Sequence, residues 1–254
     1  MISIDHKGHT VLVTGGAKGI GGGISRAFAQ AGANVVIVYR SDPEESNAFA
    51  AALHEEFDTP VIAVQADMSR EEDVVRAFDE AERAFGRVDI LINNAGSNKT
   101  RYITDIENDE WDYYLKNNVT AYFLTTREFG RRNKDDGKGG DIVNILSKAA
   151  FSTTTRGRGA YVTNKHGELG LTRSAAVEFA PYKIYVNAIV PGFVWTPLTR
   201  SLGEEFTKKL SRAPMKCAAQ PEELGQTAAF ITSENCRLMV GSVVDLSGGL
   251  MLGF

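Results

Sequence analysis

A doubly wound α/β fold, a parallel sheet of about seven strands with helices on both faces, is predicted by three observations. Short β-branched runs recur along the whole chain, stretches of helical period separate them, and the apolar runs do not alternate with polar residues. A strand covered on one face alternates, whereas a strand covered on both reads as unbroken Val, Ile and Leu. The strand–helix–strand rhythm then implies right-handed crossovers. TVLVT at 10–14 is the first strand and 19–30 the first helix. NVVIVY at 34–39 is the second strand, and a helix covers about 44–57. A strand at 61–65 and a helix at 70–85 follow, then VDILIN at 88–93. Residues 111–132 are helical with an interruption near Asn117, and DIVNILS at 141–147 is the fifth strand. A long helix covers 160–180, and strands at 184–190 and 242–246 close the pattern.

No repeat and no linker divides the chain, so residues 1–254 are expected to form one domain. The KDDGKGG stretch at 134–140 is a turn between helix and strand. Residues 192–215, with Pro197, Gly203 and Pro214, read as a mobile flap.

With 254 residues the chain can bury a real core. Its 43% hydrophobic and 24% charged residues are ordinary globular usage, which sets disorder aside. A net charge of −4 argues against nucleic acid, whose phosphates need a basic field. No apolar run is long enough for a membrane span, and MISIDHKGHT lacks the apolar stretch of a signal peptide. Cys217 and Cys236, without paired spacing, suggest neither a disulfide framework nor a zinc site, so a cytoplasmic setting is expected. His6, His9, His54 and His166 form no metal-ligand pattern, and no metal is expected.

TGGAKGIG at 14–21 lies between the first strand and the first helix. Gly15 permits the tight turn, Gly19 lets backbone approach a pyrophosphate, and Gly21 permits close packing of helix on strand. The helix start, with Ile20, offers free N–H groups and a partial positive charge. Gly22 and Gly23 lower helix propensity for no reason visible in the sequence. A Rossmann-type sheet that rejects a 2′-phosphate carries a carboxylate at the end of its second strand. Here Tyr39, Arg40 and Ser41 stand there instead, and Lys18 stands in the loop. A missing carboxylate plus two cations favours NADP(H), with NAD(H) the alternative.

Tyr161 and Lys165 in YVTNK are four apart on the long helix, so both side chains share one face. Alone that spacing is a frequent accident. It gains meaning from NNAG at 93–96, Ser147 after the fifth strand and Pro191-Gly192 after the sixth. With Asp67, Asn118 in NNVTAYF, PGFVWTP at 191–197 and VVDLSGG at 243–249, the chain resembles the short-chain dehydrogenase/reductase family over essentially its whole length. The resemblance implies alcohol–carbonyl interconversion with a nicotinamide cofactor, and a homotetramer or homodimer. It also implies a tetrad of Asn118, Ser147, Tyr161 and Lys165. Tyr161 would be general acid in reduction and base in oxidation. A free phenol titrates near 10, too high for a base near neutrality, and an adjacent cation favours its phenolate. Ser147 would hold the substrate oxygen, and Asn118 would anchor a water in a relay from Lys165. By the same resemblance Asp67 and Met68 would meet the adenine, and Asn94, Ala95 and Gly96 the adenosine ribose. Lys165 would bond the nicotinamide ribose, and Pro191, Gly192, Val194 and Thr196 would cover the nicotinamide amide.

Two features depart from the family pattern. Leu146-Ser147 replaces a pair of serines, and Ser147 precedes Tyr161 by 14 positions, one more than usual. A one-residue insertion in FSTTTRGRG at 151–159 accounts for the spacing and leaves Ser147 as the candidate. Substrate choice is expected from loops 97–103, 149–158 and 192–213. The first two carry Ser97, Asn98, Lys99, Thr100, Arg101, Thr153–Thr155, Arg156 and Arg158; the third carries Phe193, Trp195 and Leu198. A polar or anionic carbonyl compound suits the first two, a sugar or polyol among them. YRSDPEESNA is similar to glucose 1-dehydrogenases and 3-oxoacyl carrier-protein reductases in its cofactor region, which does not settle the substrate; a 3-oxoacyl thioester reductase is the second reading, which a net charge of −4 does not encourage. A non-catalytic dinucleotide sensor is the third, disfavoured by the intact Tyr161 and Lys165.

Overall fold

The structure is a computed structural model that describes residues 4–152, 155–211 and 213–252. Strands β1 (Thr10–Thr14), β2 (Asn34–Tyr39), β3 (Val61–Gln65), β4 (Ile90–Asn93), β5 (Gly140–Ile145), β6 (Ile184–Pro191) and β7 (Val243–Leu246) form one sheet. All pair in parallel, in the order β3-β2-β1-β4-β5-β6-β7. The helices are α1 (Gly19–Gln30), α2 (Pro43–Phe57), α3 (Glu71–Phe85), α4 (Asn108–Leu115), α5 (Ala121–Asn133) and α6 (Gly159–Phe179). Short α7 (Pro197–Arg200), α8 (Glu204–Leu210) and α9 (Pro221–Ile231) complete them.

Why the strands do not alternate is visible in β1, whose five residues are all buried. Leu12 packs into the core layer with Val36, Leu91, Phe78 of α3 and Phe129 of α5. Its neighbours Val11 and Val13 point the opposite way, into the layer with Phe28 of α1, Leu53 of α2 and Ile231 of α9. Two apolar layers thus sandwich the sheet. Fully burying each Val, Leu or Phe contributes about 1.5–3 kcal/mol.

The strand order reverses between β1 and β4, which opens a crevice at their carboxyl ends. Asn94 stitches that opening: its Nδ2 donates to the Thr14 carbonyl (2.9 Å), and its backbone N–H donates to Thr14 Oγ1 (2.9 Å). Behind the crevice a buried polar chain ties helices to sheet. The Thr125 hydroxyl of α5 donates to Asn93 Oδ1 (2.6 Å), and Asn93 Nδ2 donates to Asn144 Oδ1 (2.9 Å). Asn144 Nδ2 donates in turn to Thr172 Oγ1 of α6 (2.9 Å).

Several expectations shift. The helix expected at 111–132 is two helices joined by a π turn at Lys116–Thr120. The fifth strand ends at Ile145, because Ser147 caps a 3-10 turn at Lys148–Ala150 instead of continuing the ladder. The segment 192–215 contains α7 and α8, with Val194, Phe206 and Leu210 buried. Helix α9 carries no strong periodic signal, yet it packs closely along α1. That packing explains Gly23: a Cβ there would lie 2.3 Å from the Pro221 carbonyl carbon. A Cβ at Gly22 would meet nothing closer than 3.4 Å, and nothing in the structure explains that glycine.

Two substitutions separate packing from propensity. Gly23→Ala should destabilise by about 1–3 kcal/mol through overpacking against α9. Gly22→Ala should be neutral or stabilising by up to ~1 kcal/mol through helix propensity. Thermal denaturation of both variants checks this; a Gly23→Ala melt at or above wild type would contradict the packing account.

Candidate active site

Helix α6 starts at Gly159, immediately beyond the loop from β5, so its first turns face the carboxyl end of the sheet. Tyr161 is half-buried and Lys165 is buried. Lys165 Nζ donates to the Ile145 carbonyl (3.0 Å) and to Glu168 Oε2 (2.7 Å). It also lies 5.4 Å from the Tyr122 ring centroid and 5.9 Å from that of Tyr161. Burial alone drives an ammonium toward its neutral form. Here the attraction of Glu168 and the nearby Tyr122 and Tyr161 outweighs burial and holds Lys165 above its ordinary range. Burial likewise pushes the Tyr122 phenol up, against the pull of Lys165. The Tyr122 hydroxyl donates to the same Ile145 carbonyl at 2.9 Å.

Ser147 Oγ accepts from the Ala149 N–H (3.2 Å), which leaves the hydroxyl proton to donate elsewhere. Asn118 sits in the π turn with 1% exposure. Its Nδ2 donates to the Ser97 carbonyl (3.0 Å) and the Tyr114 carbonyl (2.8 Å), and its Oδ1 accepts from the Ser97 N–H (3.2 Å). The carboxamide is thus a clamp on the loop after β4. Asp67 accepts from the Ser69 N–H (3.0 Å), and the N-cap of α3 is Arg70, so Asp67 is not that helix's cap.

Two adjoining cavities receive the expected residues. One, of about 290 Å³, is bounded by the end of β2 (Tyr39, Arg40, Ser41), by Asp67 and Met68, and by Gly15 and Ala95. The other, of about 790 Å³, is bounded by Gly19, Ile20, Asn118, Ser147, Tyr161 and Lys165, and by Pro191, Gly192, Val194 and Thr196. Lys18, Asn94, Gly96 and Ser97 line both and mark where they join. Of the expected site residues Gly21 alone lines neither. A Cβ on it would lie 2.1 Å from the Gly15 carbonyl oxygen, so its place is the packing under the loop.

A dinucleotide fits this shape. Gly15 and Gly19 hold φ of +63° and +58°, the left-handed region that glycine supplies without strain. No side chain caps α1 at Lys18, so its first N–H groups and positive dipole end face the junction of the cavities. A pyrophosphate there would satisfy them, with adenosine in the smaller cavity and nicotinamide in the larger. When bound, the nicotinamide supplies or accepts the two electrons of an alcohol–carbonyl interconversion.

The rim differs from its reading in sequence. Lys18 Nζ donates to Asp42 Oδ2 (3.0 Å) and lies 3.7 Å from Glu45 Oε2. The Lys18 and Ser41 hydrogen bonds hold the Asp42 carboxyl below the usual range. Arg40 Nη1 donates to Asn117 Oδ1 (2.5 Å), so the guanidinium spans the smaller cavity. Of the substrate-loop residues, Ser97, Asn98, Arg158, Phe193 and Leu198 line the larger cavity, together with Lys148 and Lys209. Trp195 instead packs edge-on to Phe206 at 4.8 Å, under Arg200. Arg101 joins Arg158 through a β-bridge and pairs with Glu110 at 3.4 Å. Thr153 and Thr154 lie outside the described residues. Among those the sequence did not single out are Arg158's stacking on the Tyr161 ring (4.5 Å) and Glu168 behind Lys165. Glu168 was open to reading, since i+3 from Lys165 is the same helix face.

The family model described as Enoyl-(Acyl carrier protein) reductase matches residues 15–251. The 3-oxoacyl-(acyl-carrier-protein) reductase FabG of Aquifex aeolicus is 34% identical over 250 residues, 98% of this chain and 100% of that protein. A short-chain dehydrogenase/reductase from Serratia marcescens superposes with a TM-score of 0.90 at 28% identity, covering 96% of this chain and 98% of that one. The chain belongs to the short-chain dehydrogenase/reductase family. As such it is an oxidoreductase of CH–OH and carbonyl groups, of a family that binds NAD(P). Other members are equally similar. The D-beta-hydroxybutyrate dehydrogenase of Cupriavidus necator is 34% identical over 257 residues, 95% of this chain and 97% of that protein. A Burkholderia cenocepacia short-chain dehydrogenase solved in complex with NADP has a TM-score of 0.89 at 30% identity, covering 95% and 97%.

Replacing Asn118 by Ala removes the clamp and leaves the Ser97 N–H and carbonyl without it, while Asn164 Nδ2 still donates to the Tyr114 carbonyl (3.3 Å). The cost is expected at about 1–3 kcal/mol. Cofactor affinity should fall with it, because Ser97 lines both cavities. Thermal denaturation and fluorescence titration with NADPH read the two effects.

Proposed function

We propose that this dehydrogenase/reductase uses NADP(H) to interconvert a secondary alcohol and a ketone bearing polar or anionic groups, with Tyr161 as general acid and base. The observation that carries the reading is the convergence of Tyr161, Ser147 and Lys165 on one cavity, with the Arg158 guanidinium 4.5 Å from the Tyr161 ring. In reduction, the substrate oxygen accepts hydrogen bonds from Ser147 Oγ and the Tyr161 hydroxyl, and Tyr161 delivers the proton to it. In oxidation Tyr161 removes that proton. Lys165 stabilises the phenolate and has a third N–H to offer the nicotinamide ribose.

Arg158 and Lys148 give the larger cavity a cationic edge, while Lys209 is paired with Glu205 at 2.7 Å. That edge suits a sugar acid, a polyol or a hydroxy acid, and a dehydrogenase of hydroxybutyrate is among the relatives. A 3-oxoacyl thioester is the second reading. The apolar flank of Phe193, Leu198, Leu202 and Phe206 favours it, as does the likeness to 3-oxoacyl carrier-protein reductases.

For the cofactor, the support is Arg40 across the smaller cavity and no carboxylate at Tyr39. Lys18 is engaged by Asp42 and Glu45 and contributes less than its charge suggests.

Tyr161→Phe should lower turnover at least ~100-fold while NADPH affinity stays near wild type. The assay follows reduced-cofactor absorbance with a panel of sugars, polyols, hydroxy acids, small ketones and acetoacetyl thioesters. Retained turnover would remove Tyr161 from its role, and a thioester as the best substrate would select the second reading. Arg40→Asp should weaken NADPH more than NADH in fluorescence titrations, and equal weakening would count against a 2′-phosphate contact.

A further inference from the structure

Helix α6 presents Tyr161, Lys165, Glu168 and Thr172 at i, i+4, i+7 and i+11, a spacing that keeps side chains on one face. Glu168 has no exposure at all. Its Oε2 accepts from Lys165 Nζ at 2.7 Å. Its Oε1 is buried with no hydrogen-bond partner among the described residues. An unpaired carboxylate oxygen is costly in such a place, and an apolar side chain would pack there without that cost. The fold does not need the acid for packing or for its polar chain. Thr172 bonds the Glu168 backbone carbonyl (2.7 Å) and Asn144, not the carboxylate. What the carboxylate does touch is the one ammonium that the proposed chemistry requires.

The charged and titratable groups around it come from every neighbouring element. Lys165 and Tyr161 lie on α6, and Arg158 precedes it, stacked on the Tyr161 ring. Tyr122 reaches in from α5, and β5 offers only the neutral Ile145 carbonyl and Asn144. Among these described residues Glu168 is the one carboxyl group; burial pushes it up, and the Lys165 ammonium opposes that by favouring the carboxylate.

We propose that Glu168 is a positioning residue, whose carboxylate holds the Lys165 ammonium against the Ile145 carbonyl and offsets part of the positive charge felt by Tyr161. The proposal rests on the roles given to Tyr161 and Lys165 above. Seven helical residues separate Glu168 from Tyr161, a rise of about 10 Å. At an effective dielectric of about 20, one charge at that distance moves a titration by about one pH unit. With Lys165 still protonated and bonded to the Ile145 carbonyl, a negative charge disfavours the phenolate, so its removal extends the basic form to lower pH.

The test needs no substrate. The ultraviolet phenolate absorbance of the NADP+-loaded enzyme is titrated with pH, and the same titration on Tyr161→Phe is subtracted to isolate Tyr161. Both are then repeated with Glu168→Gln added. The Tyr161 midpoint is expected to fall by about one pH unit. A midpoint that stays in place or rises overturns the proposal. Glu168→Met is read in the same way, so misfolding of the Gln variant does not decide the matter. Turnover retained in Tyr161→Phe would instead refute the role of Tyr161, an outcome separate from an unmoved midpoint.

Discussion

An ammonium group buried at the end of a parallel sheet must be held by everything around it, because taking an ion out of water costs several kcal/mol. Lys165 meets that demand through the Ile145 carbonyl, the Glu168 carboxylate and the ring of Tyr122. These partners come from β5, α6 and α5. The three elements therefore have to keep their mutual register, and the polar chain from Thr125 through Asn93 and Asn144 to Thr172 fixes it. Breaking any link leaves a buried polar group unpaired, which penalises sliding of the helices more sharply than apolar packing does.

The same geometry divides the electrostatics into two regimes. At the rim Lys18, Asp42 and Glu45 are exposed, so water and salt screen them and their pairing is weak and adjustable. At the base Lys165 is nearly buried in the cavity wall and Glu168 wholly buried, so water and salt screen their pairing far less. Under the proposed function, discrimination between cofactors belongs to the rim, where a substitution changes one contact, and the proton chemistry to the base, where a substitution changes a whole set. Between them the bare N-terminus of α1 and the Asn94 stitch hold the crevice open at the strand-order reversal.

Much of this was legible in the chain itself. Hydrophobic period placed β1 and β2 to the residue and α1 likewise, since burial on both faces removes alternation from a strand. The glycine loop and the Tyr161–Lys165 spacing were also local, because a turn and a helix translate spacing directly into geometry. The end of β5 was misread by two residues: LeuSer continues a strand pattern, but the Ser147 side chain caps the next turn and stops it. The π turn around Asn118 showed only as an interruption near Asn117, because an asparagine does not announce which carbonyls it will bond.

What the sequence by itself determined, then, was the sheet, its two-sided burial, the glycine loop and the helical face carrying the phenol and the ammonium. Only the tertiary structure decided that Lys18 is already held by Asp42, that Gly23 makes room for Pro221 198 residues away, and that Trp195 packs on Phe206 outside the cavity. The physical reason is the same in each case. Period and spacing report what a residue's own segment does, whereas a partner from a distant segment depends on how the crossovers bring the segments together.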